Sequence, residues 1–143
     1  MTEQEAREAI VAEALSWEGT PYHSHARIKG VGVDCAQLPA AVYEAVGLVP
    51  HLAPDYADQW FLHRDEETYL SWVRPHARQI DRADLLPGDF VIWRYGRTFS
   101  HGAIVIAPPI VIHASGPAVA VVRADMDREE EMLRRPHLCF TLF

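Results

Sequence analysis

Of the two cysteines in this chain, Cys35 occupies the position that best suits a reactive thiol. It follows Asp34 at the predicted start of a helix, where free backbone N–H groups and a partial positive charge favour a thiolate. Cysteines so placed have pKa values lowered from about 8.5 into the range of roughly 3.5–7.5. Taken alone, Cys35 fits equally well a small buried apolar side chain. Cys139, in the terminal apolar segment, is interpreted as a structural thiol.

Two histidines further along the chain, His101 and His113, supply the groups that such a thiol needs. His101 precedes the apolar run 103–106, and His113 ends the run 110–113. Neighbouring antiparallel strands would place the two imidazoles side by side. His101 would then act as the general base, and His113 would fix its tautomer as the orienting third group. Each histidine alone is equally typical of a strand edge or a satisfied core position.

Helices are predicted in the first half of the chain. Thr2 and Glu5 fit a capping box, and the apolar spacing that follows is helical, with Gly19 and Pro21 as breakers. A second helix is predicted from about Asp34 to Gly47. Pro39 lies four residues after Cys35, so its ring would clash with the Cys35 carbonyl if Cys35 were the first helical residue. We therefore expect this helix to begin one or two residues later or to bend. A further helical stretch is predicted at residues 65–73.

Strands are predicted in the second half. Short runs rich in Val, Ile and Phe are separated by Gly, Pro or polar residues, and a short helix is predicted at residues 127–135. The predicted strands are residues 90–94, 103–106, 110–113, 119–123 and 138–143. Helices first and strands later favour an α+β fold in one domain spanning residues 1–143, with N-terminal helices packed on an antiparallel sheet of about five strands.

The composition argues against several classes of protein. The chain has 143 residues and a formal charge of −7, which does not suit a protein that tracks nucleic-acid phosphates. Two widely spaced cysteines cannot form a disulfide scaffold. No run approaches the roughly 20 apolar residues of a membrane span, and acidic residues stand where a secretory signal is basic. We expect a protein made in the cytoplasm that uses no cofactor or metal and binds no nucleic acid.

Five short motifs follow one another in the order typical of one family. They are Gly-Thr-Pro-Tyr at residues 19–22, Gly-Val-Asp-Cys at 32–35, Leu-Pro-Gly-Asp-Phe-Val at 86–91, Ser-His-Gly-Ala-Ile at 100–104 and Ile-His-Ala at 112–114. Together they resemble the NlpC-type, papain-like cysteine peptidases of bacterial cell walls over roughly residues 5–143. The resemblance implies a papain-like fold and cleavage of peptidoglycan stem peptides between D-glutamate and the following diamino acid.

The resemblance also implies a role for each site residue. Cys35 matches the nucleophile, His101 the base and His113 the third polar residue of a Cys-His-His triad. Tyr22 matches a tyrosine that lines the site and helps to bind the oxyanion, although packing on Pro21 would also explain it. Asp34 matches an acid that recognises the free amine of the stem peptide, which is compatible with helix capping.

Within this family the chain most resembles the short forms encoded with phage or gene-transfer-particle tails, through the loop at residues 22–35. This implies a virion-tail location, tail-hub and tail-tip partners, and action at the bacterial cell wall. Two positions depart from the family pattern. Ala36 replaces the usual serine after the cysteine, and Gly102 directly follows the base where a β-branched residue is common.

Two other interpretations stay open. The domain is alternatively a structural tail-tip component with a vestigial or masked site, for which Leu48, Val49 and the aromatic group Tyr56, Trp60 and Phe61 would offer a docking surface, although a core role is typical of such residues. A metal site is the third interpretation, built from the pair His23 and His25 with Cys35 and His101. The remaining histidines are interpreted as surface residues: His51, His63, His76 and His137.

Overall fold

The computed structural model describes residues 1–53, 56 and 66–143. The helices within these described residues are α1 (Glu3–Leu15), α2 (Gln37–Ala45) and α3 (Thr68–Val73), with a 3₁₀ turn at Arg82–Asp84. The strands are β1 (Arg27–Ile28), β2 (Gly32–Val33), β3 (Arg78–Ile80), β4 (Phe90–Tyr95), β5 (Thr98–Ala107), β6 (Ile110–Ser115), β7 (Ala120–Asp125) and β8 (His137–Thr141).

The strands form a six-stranded antiparallel sheet in the order β3-β8-β4-β5-β6-β7, and β1 pairs with β2 in a separate hairpin. The predicted α+β arrangement is confirmed, with six strands in the main sheet rather than about five. The additional strand, β3, is a three-residue edge strand with two exposed positions. It lacks the apolar alternation by which a strand is recognised in a sequence.

Helix α1 begins with the predicted capping box. The Glu5 N–H donates to Thr2 Oγ1 at 3.1 Å, and the Thr2 N–H donates to Glu5 Oε1 at 3.5 Å, so two otherwise unpaired donors are satisfied. The buried face of the helix carries Ala6, Ile10 and Ala14. This face packs against α2 and β5.

Helix α2 begins at Gln37, two residues after Cys35, as the position of Pro39 requires. Pro39 is therefore the third helical residue, where a missing N–H breaks no bond within the helix. The Leu38 N–H still donates to the Asp34 carbonyl at 3.0 Å. The Cys35 carbonyl, in contrast, receives no N–H from position 39.

Apolar side chains cover both faces of the main sheet. The face toward the helices includes Phe90, Ile92 and Ile104, and the opposite face includes Val91, Trp93 and Ala103, as alternation along a strand requires. Among residues weighed above as a docking surface, Leu48, Val49 and Tyr56 pack against the first of these clusters. The core interpretation therefore holds for these three, whereas Trp60, Phe61 and His63 lie outside the described residues.

Two predicted helices differ from the structure. The stretch predicted at residues 65–73 is helical from Thr68 to Val73, and Asp65 is outside the described residues. Residues 127–135 form turns rather than the predicted short helix. The bonds from Glu129 N–H to the Asp125 carbonyl and from Leu133 N–H to the Glu129 carbonyl, both 2.9 Å, are isolated, and Arg134 has a φ of 63°. No helix in the described part of the chain is long and apolar enough to span a bilayer.

Candidate active site

Strands β5 and β6 separate in the region where the predicted site residues meet. Their ladder ends at the pair Ile104–Ile112. Beyond it the first half of β5 stays with β4, and the last residues of β6 stay with β7. This separation opens the edge of β5 at residues 98–103, next to the start of α2.

Cys35 lies against this open edge of β5. Its Sγ atom is 3.5 Å from the carbonyl oxygen of Ser100, and the backbone N–H of Gly102 also faces the sulfur. The thiol thus contacts both peptide groups that flank His101. The Tyr22 hydroxyl hydrogen-bonds to the same sulfur, and Tyr22 is held there by its bridge to Val33 at the end of β2.

Asp34 uses both carboxylate oxygens inside the protein. Oδ1 accepts the N–H groups of Ala36 (3.0 Å) and Gln37 (2.9 Å). Oδ2 accepts the His25 N–H at 2.7 Å and a short hydrogen bond from the Tyr56 hydroxyl. The residue is only 3% exposed. Asp34 thus accepts N–H groups at the start of α2, as its predicted capping role implies, although the residue at the N-cap position is Ala36. Recognition of a substrate amine stays a prediction.

His101 and His113 approach each other across the separated strands. His101 Nε2 lies 2.7 Å from His113 Nδ1, and the two rings meet edge to face at 4.9 Å. The rings of Trp93 and Tyr95 lie at 6.4 and 5.0 Å from His101. The predicted pairing of the two imidazoles is therefore present, and aromatic side chains on β4 fix the orientation of the first ring.

Both imidazoles are neutral at ordinary pH. Burial lowers the pKa of His101 well below 6.5, and the neighbouring His113 and Arg135 lower it further. Burial lowers the pKa of His113 to about 4, against a small opposing effect of Glu129. If His101 is to accept a proton at Nδ1, its Nε2–H donates to His113 Nδ1 and His113 carries its own proton on Nε2. That buried Nε2 has no hydrogen-bond partner among the described residues.

The thiol of Cys35 is also neutral, which corrects the expectation of a helix-stabilised thiolate. Burial raises the pKa of Cys35 to about 12, and the Asp34 carboxylate adds to the shift. The hydroxyl of Tyr22 and the N–H groups of Cys35 and Gly102 oppose it only in part. The N–H groups of Ala36 and Gln37 are engaged by Asp34. These donors therefore do not stabilise a thiolate, and the adjacent negative charge of Asp34 opposes one.

The reactivity of Cys35 toward an alkylating agent is expected to reflect this neutral thiol. In a Cys139→Ala background, the rate of alkylation by iodoacetamide should keep rising from about pH 6 to beyond about pH 9, because only the thiolate reacts. The reaction can be followed by mass spectrometry of the intact protein. A rate already constant from about pH 6 upward would show that an acidic thiolate exists and would contradict the raised pKa.

The two buried histidines are expected to make the fold sensitive to acid. In the unfolded chain their pKa values return to about 6.5, so below that pH the unfolded chain binds protons that the folded protein does not. The free energy of unfolding should therefore decrease as the pH falls from 6.5, by roughly 2 kcal/mol from His113 alone at about pH 5. Urea unfolding at about pH 7.5 and about pH 5 measures the difference. A His113→Gln variant should lose less stability over the same interval, and an equal loss would contradict the assignment.

The proposed metal grouping of His23, His25, Cys35 and His101 is not present among the described residues. His23 Nδ1 lies 3.1 Å from the Ser24 carbonyl oxygen, and the His25 ring stacks on Tyr56 at 4.5 Å. The single group in the described part with ligand atoms within 4.8 Å of one another is His101, His113 and Glu131. In that group the facing imidazole nitrogens already share a hydrogen bond.

The structure therefore brings the five predicted site residues into two contacting sets joined by β5. Tyr22, Asp34 and Cys35 form one set, and His101 and His113 form the other. Among the described residues the thiol hydrogen bond goes to the Ser100 carbonyl rather than to an imidazole. Sequence reasoning missed Tyr56 and Tyr69, which bond to Asp34 and to the Cys35 carbonyl. Neither carried a motif, and both resemble ordinary aromatic core positions.

Comparison with known proteins agrees with this architecture. The model of the NlpC/P60 family matches residues 16–135. Similar solved structures include the NlpC/p60 domain of the peptidoglycan hydrolase SagA (22% identity, 92% of this chain and 96% of that one, TM-score 0.64) and NlpC1 from Trichomonas vaginalis (19%, 98% and 44%, 0.69). This chain thus spans less than half the length of the Trichomonas protein.

A third similar structure is RipD from Mycobacterium tuberculosis (13% identity, 96% of this chain and 98% of that one, TM-score 0.62), described as a non-catalytic NlpC/p60 domain protein adapted to peptidoglycan binding. Among curated proteins, none matches this chain. At these identities the solved structures establish the papain-like fold predicted from the motifs. Because the family model covers most of the sequence, the chain belongs to the NlpC/P60 family.

Proposed function

We propose that this protein is a cysteine peptidase that hydrolyses peptidoglycan stem peptides at the bond between D-glutamate and the following diamino acid. The observation that carries the proposal is the pair of neutral, hydrogen-bonded imidazoles of His101 and His113, of which His101 lies on β5, the strand that contacts the Cys35 thiol. A neutral imidazole is the form that accepts a proton. Membership of a family that includes peptidoglycan hydrolases supports the substrate class.

In the proposed reaction Cys35 Sγ attacks the peptide carbonyl while His101 removes the thiol proton. Proton removal accompanies attack, because the raised pKa of Cys35 and the lowered pKa of His101 both oppose a resting ion pair. The C–S bond forms and the carbonyl π electrons move to oxygen. When the intermediate collapses, the C–N bond breaks and the imidazolium of His101 gives its proton to the departing amine. A water molecule that His101 deprotonates then adds to the thioester, the C–S bond breaks to release the acid, and the imidazolium of His101 returns its proton to Cys35 Sγ.

The negative charge on the tetrahedral intermediate requires hydrogen-bond donors. The N–H groups of Ala36 and Gln37 at the start of α2 are already donated to Asp34. The donors that face the sulfur are the Tyr22 hydroxyl and the N–H groups of Cys35 and Gly102. We assign the oxyanion to Tyr22 and the Cys35 N–H, in keeping with the role predicted for Tyr22.

The direct test is digestion of purified peptidoglycan by the folded protein, with the products identified by mass spectrometry. The expected fragments end in D-glutamate on one side and begin with the free amine of the diamino acid on the other. Fragments produced by cleavage at another amide would change the assignment of the cleaved bond but would still support a peptidase. Intact stem peptides after prolonged incubation would overturn the proposal.

The proposed site of action is the bacterial cell wall, reached on the tail tip of a phage or gene-transfer particle. The support is the resemblance of the loop at residues 22–35 to tail-encoded members of the family. The expected partners are tail-hub and tail-tip proteins. Detection of the protein in purified tails would support this location, and its absence from particles of a strain that produces it would contradict it.

A second candidate is a structural tail-tip protein with a silent site. The neutral thiol and the fully bonded Asp34 favour it, and the non-catalytic RipD shows that this fold also serves binding alone. The two candidates are separated by measuring tail assembly and peptidoglycan digestion in a strain that carries Cys35→Ala. Normal tail assembly with loss of digestion in the variant indicates an enzyme. Normal infection, with no digestion by either the unmodified protein or the variant, indicates a structural role.

A further inference from the structure

The carbonyl group of Cys35 lacks the donor that a helix would ordinarily provide. In a regular helix the N–H of residue 39 would donate to the carbonyl of residue 35. Position 39 is proline and has no N–H. A buried carbonyl without a partner is costly, so another donor is required for the peptide group that follows the thiol-bearing residue.

Tyr69 on α3 provides that donor. Its hydroxyl donates to the Cys35 carbonyl oxygen at 2.8 Å. The side chain is 3% exposed and packs between Trp72 and Phe90, with ring centroids 5.6 and 5.9 Å away. Burial raises the pKa of Tyr69 well above 10, and the nearby Asp34 carboxylate adds to the effect. The hydroxyl therefore keeps its proton at all ordinary pH values.

Gly102 gives this hydroxyl room to reach the carbonyl. A Cβ atom at position 102 would lie 2.5 Å from the Tyr69 hydroxyl oxygen and 2.6 Å from Phe90 Cζ. Such distances are too short for a real side chain, so Tyr69 could not lie here if any residue other than glycine occupied position 102. The same Gly102 presents its N–H to the Cys35 sulfur. Pro39, Tyr69 and Gly102 thus form one arrangement around Cys35.

We propose that Tyr69 is a positioning residue that holds the Cys35 peptide group in the orientation needed for attack. Its hydrogen bond sets the plane of the peptide between Cys35 and Ala36, and with it the direction of the thiol relative to His101. Tyr69 does not touch the reacting atoms. Its kinetic role rests on the proposed peptidase function, whereas its hold on the Cys35 carbonyl is a property of the folded protein.

The test compares Tyr69→Phe with Tyr43→Phe. Tyr43 is a matched control, since it is also buried and its hydroxyl donates to a backbone carbonyl, that of Gly88, at 2.9 Å. Both variants should lose similar stability. Only Tyr69→Phe should lower kcat on a synthetic stem peptide, by about tenfold with KM nearly unchanged, as expected for a buried carbonyl left unpaired. It should also move the ¹³C resonance of the Cys35 carbonyl upfield.

A second substitution tests the assignment by rescue. Pro39→Ala restores an N–H four residues after Cys35, so the variant carrying both Pro39→Ala and Tyr69→Phe should recover kcat and the carbonyl resonance. This double variant also decides the matter if Tyr69→Phe does not fold. A kcat lowered equally in Tyr43→Phe, or a double variant that stays slow or unfolded, would overturn the proposal. If the unmodified protein cleaves no stem peptide, the peptidase proposal fails. The ¹³C chemical shift of the Cys35 carbonyl then still tests whether Tyr69 holds this group.

Discussion

Alanine at position 35 is expected to reduce the release of stem-peptide fragments by at least about 10⁴-fold, effectively to the background of the assay. The substitution removes the sulfur that forms the C–S bond, while the backbone donors, Tyr22 and the imidazole pair remain. Loss of the nucleophile in comparable hydrolases leaves only the small rate due to binding and oxyanion stabilisation. Fragment release from purified peptidoglycan measures the effect.

Cys139→Ala is the matched control for this experiment. Cys139 is the other free cysteine, buried on β8 with a pKa raised to about 11 by burial, and it lies in the cluster on the opposite face of the sheet. Its replacement should leave cleavage unchanged and lower only stability. Equal cleavage by Cys35→Ala and the unmodified protein would exclude a thiol mechanism, and loss of cleavage in both variants would indicate a folding defect.

Replacement of His101 by glutamine is expected to lower kcat by roughly 10³-fold, the scale of a general base. The effect should be large because, among the described residues, the thiol hydrogen bond goes to the Ser100 carbonyl, which is a far weaker base than an imidazole. Ordinary ionisation cannot compensate, since the pKa of Cys35 is raised to about 12. Part of the lost rate should return at high pH, where hydroxide removes the proton instead.

His137→Gln provides the comparison for His101. The two rings lie on either side of Trp93, with centroids 6.3 and 6.4 Å from it, on the strands that flank β4. His137 also has a pKa lowered by burial, so the two substitutions perturb similar surroundings. Steady-state kinetics should show normal kcat in His137→Gln. A comparable decrease in both variants would assign the effect to packing around Trp93 rather than to proton transfer.

Local patterns accounted for much of the fold. The capping box of α1 depends on residues three apart, and the start of α2 depends on a proline and a carbonyl four residues apart. The strands β4 to β8 are marked by apolar runs. Such relations are readable in a sequence because both partners are close along the chain. The turns at residues 127–135 were missed because isolated hydrogen bonds of this kind are not marked by any residue type.

The contact between the two imidazoles of the candidate site was predictable from the sequence, and the electrostatics of the site were not. The motifs identified Cys35, His101 and His113, and the predicted contact between the two imidazoles was found. The state of the thiol depends on how deeply it is buried and on which donors Asp34 has already taken. Tyr69 lies 34 residues from the carbonyl that it holds. The need for glycine at position 102 can be recognised only when the position of Tyr69 next to it is known. These are properties of packing between distant segments.

The four hydrogen bonds to Asp34 have a consequence for any cationic ligand. Three come from backbone N–H groups that the fold holds in place, and the fourth comes from the Tyr56 side chain. An ammonium group that binds this carboxylate must therefore displace the Tyr56 hydroxyl from its hydrogen bond to Asp34. The observed affinity for an amine would be the difference between two hydrogen bonds to the same oxygen. Selectivity at this position would then depend on positive charge, since a neutral amine offers Asp34 little that Tyr56 does not already provide.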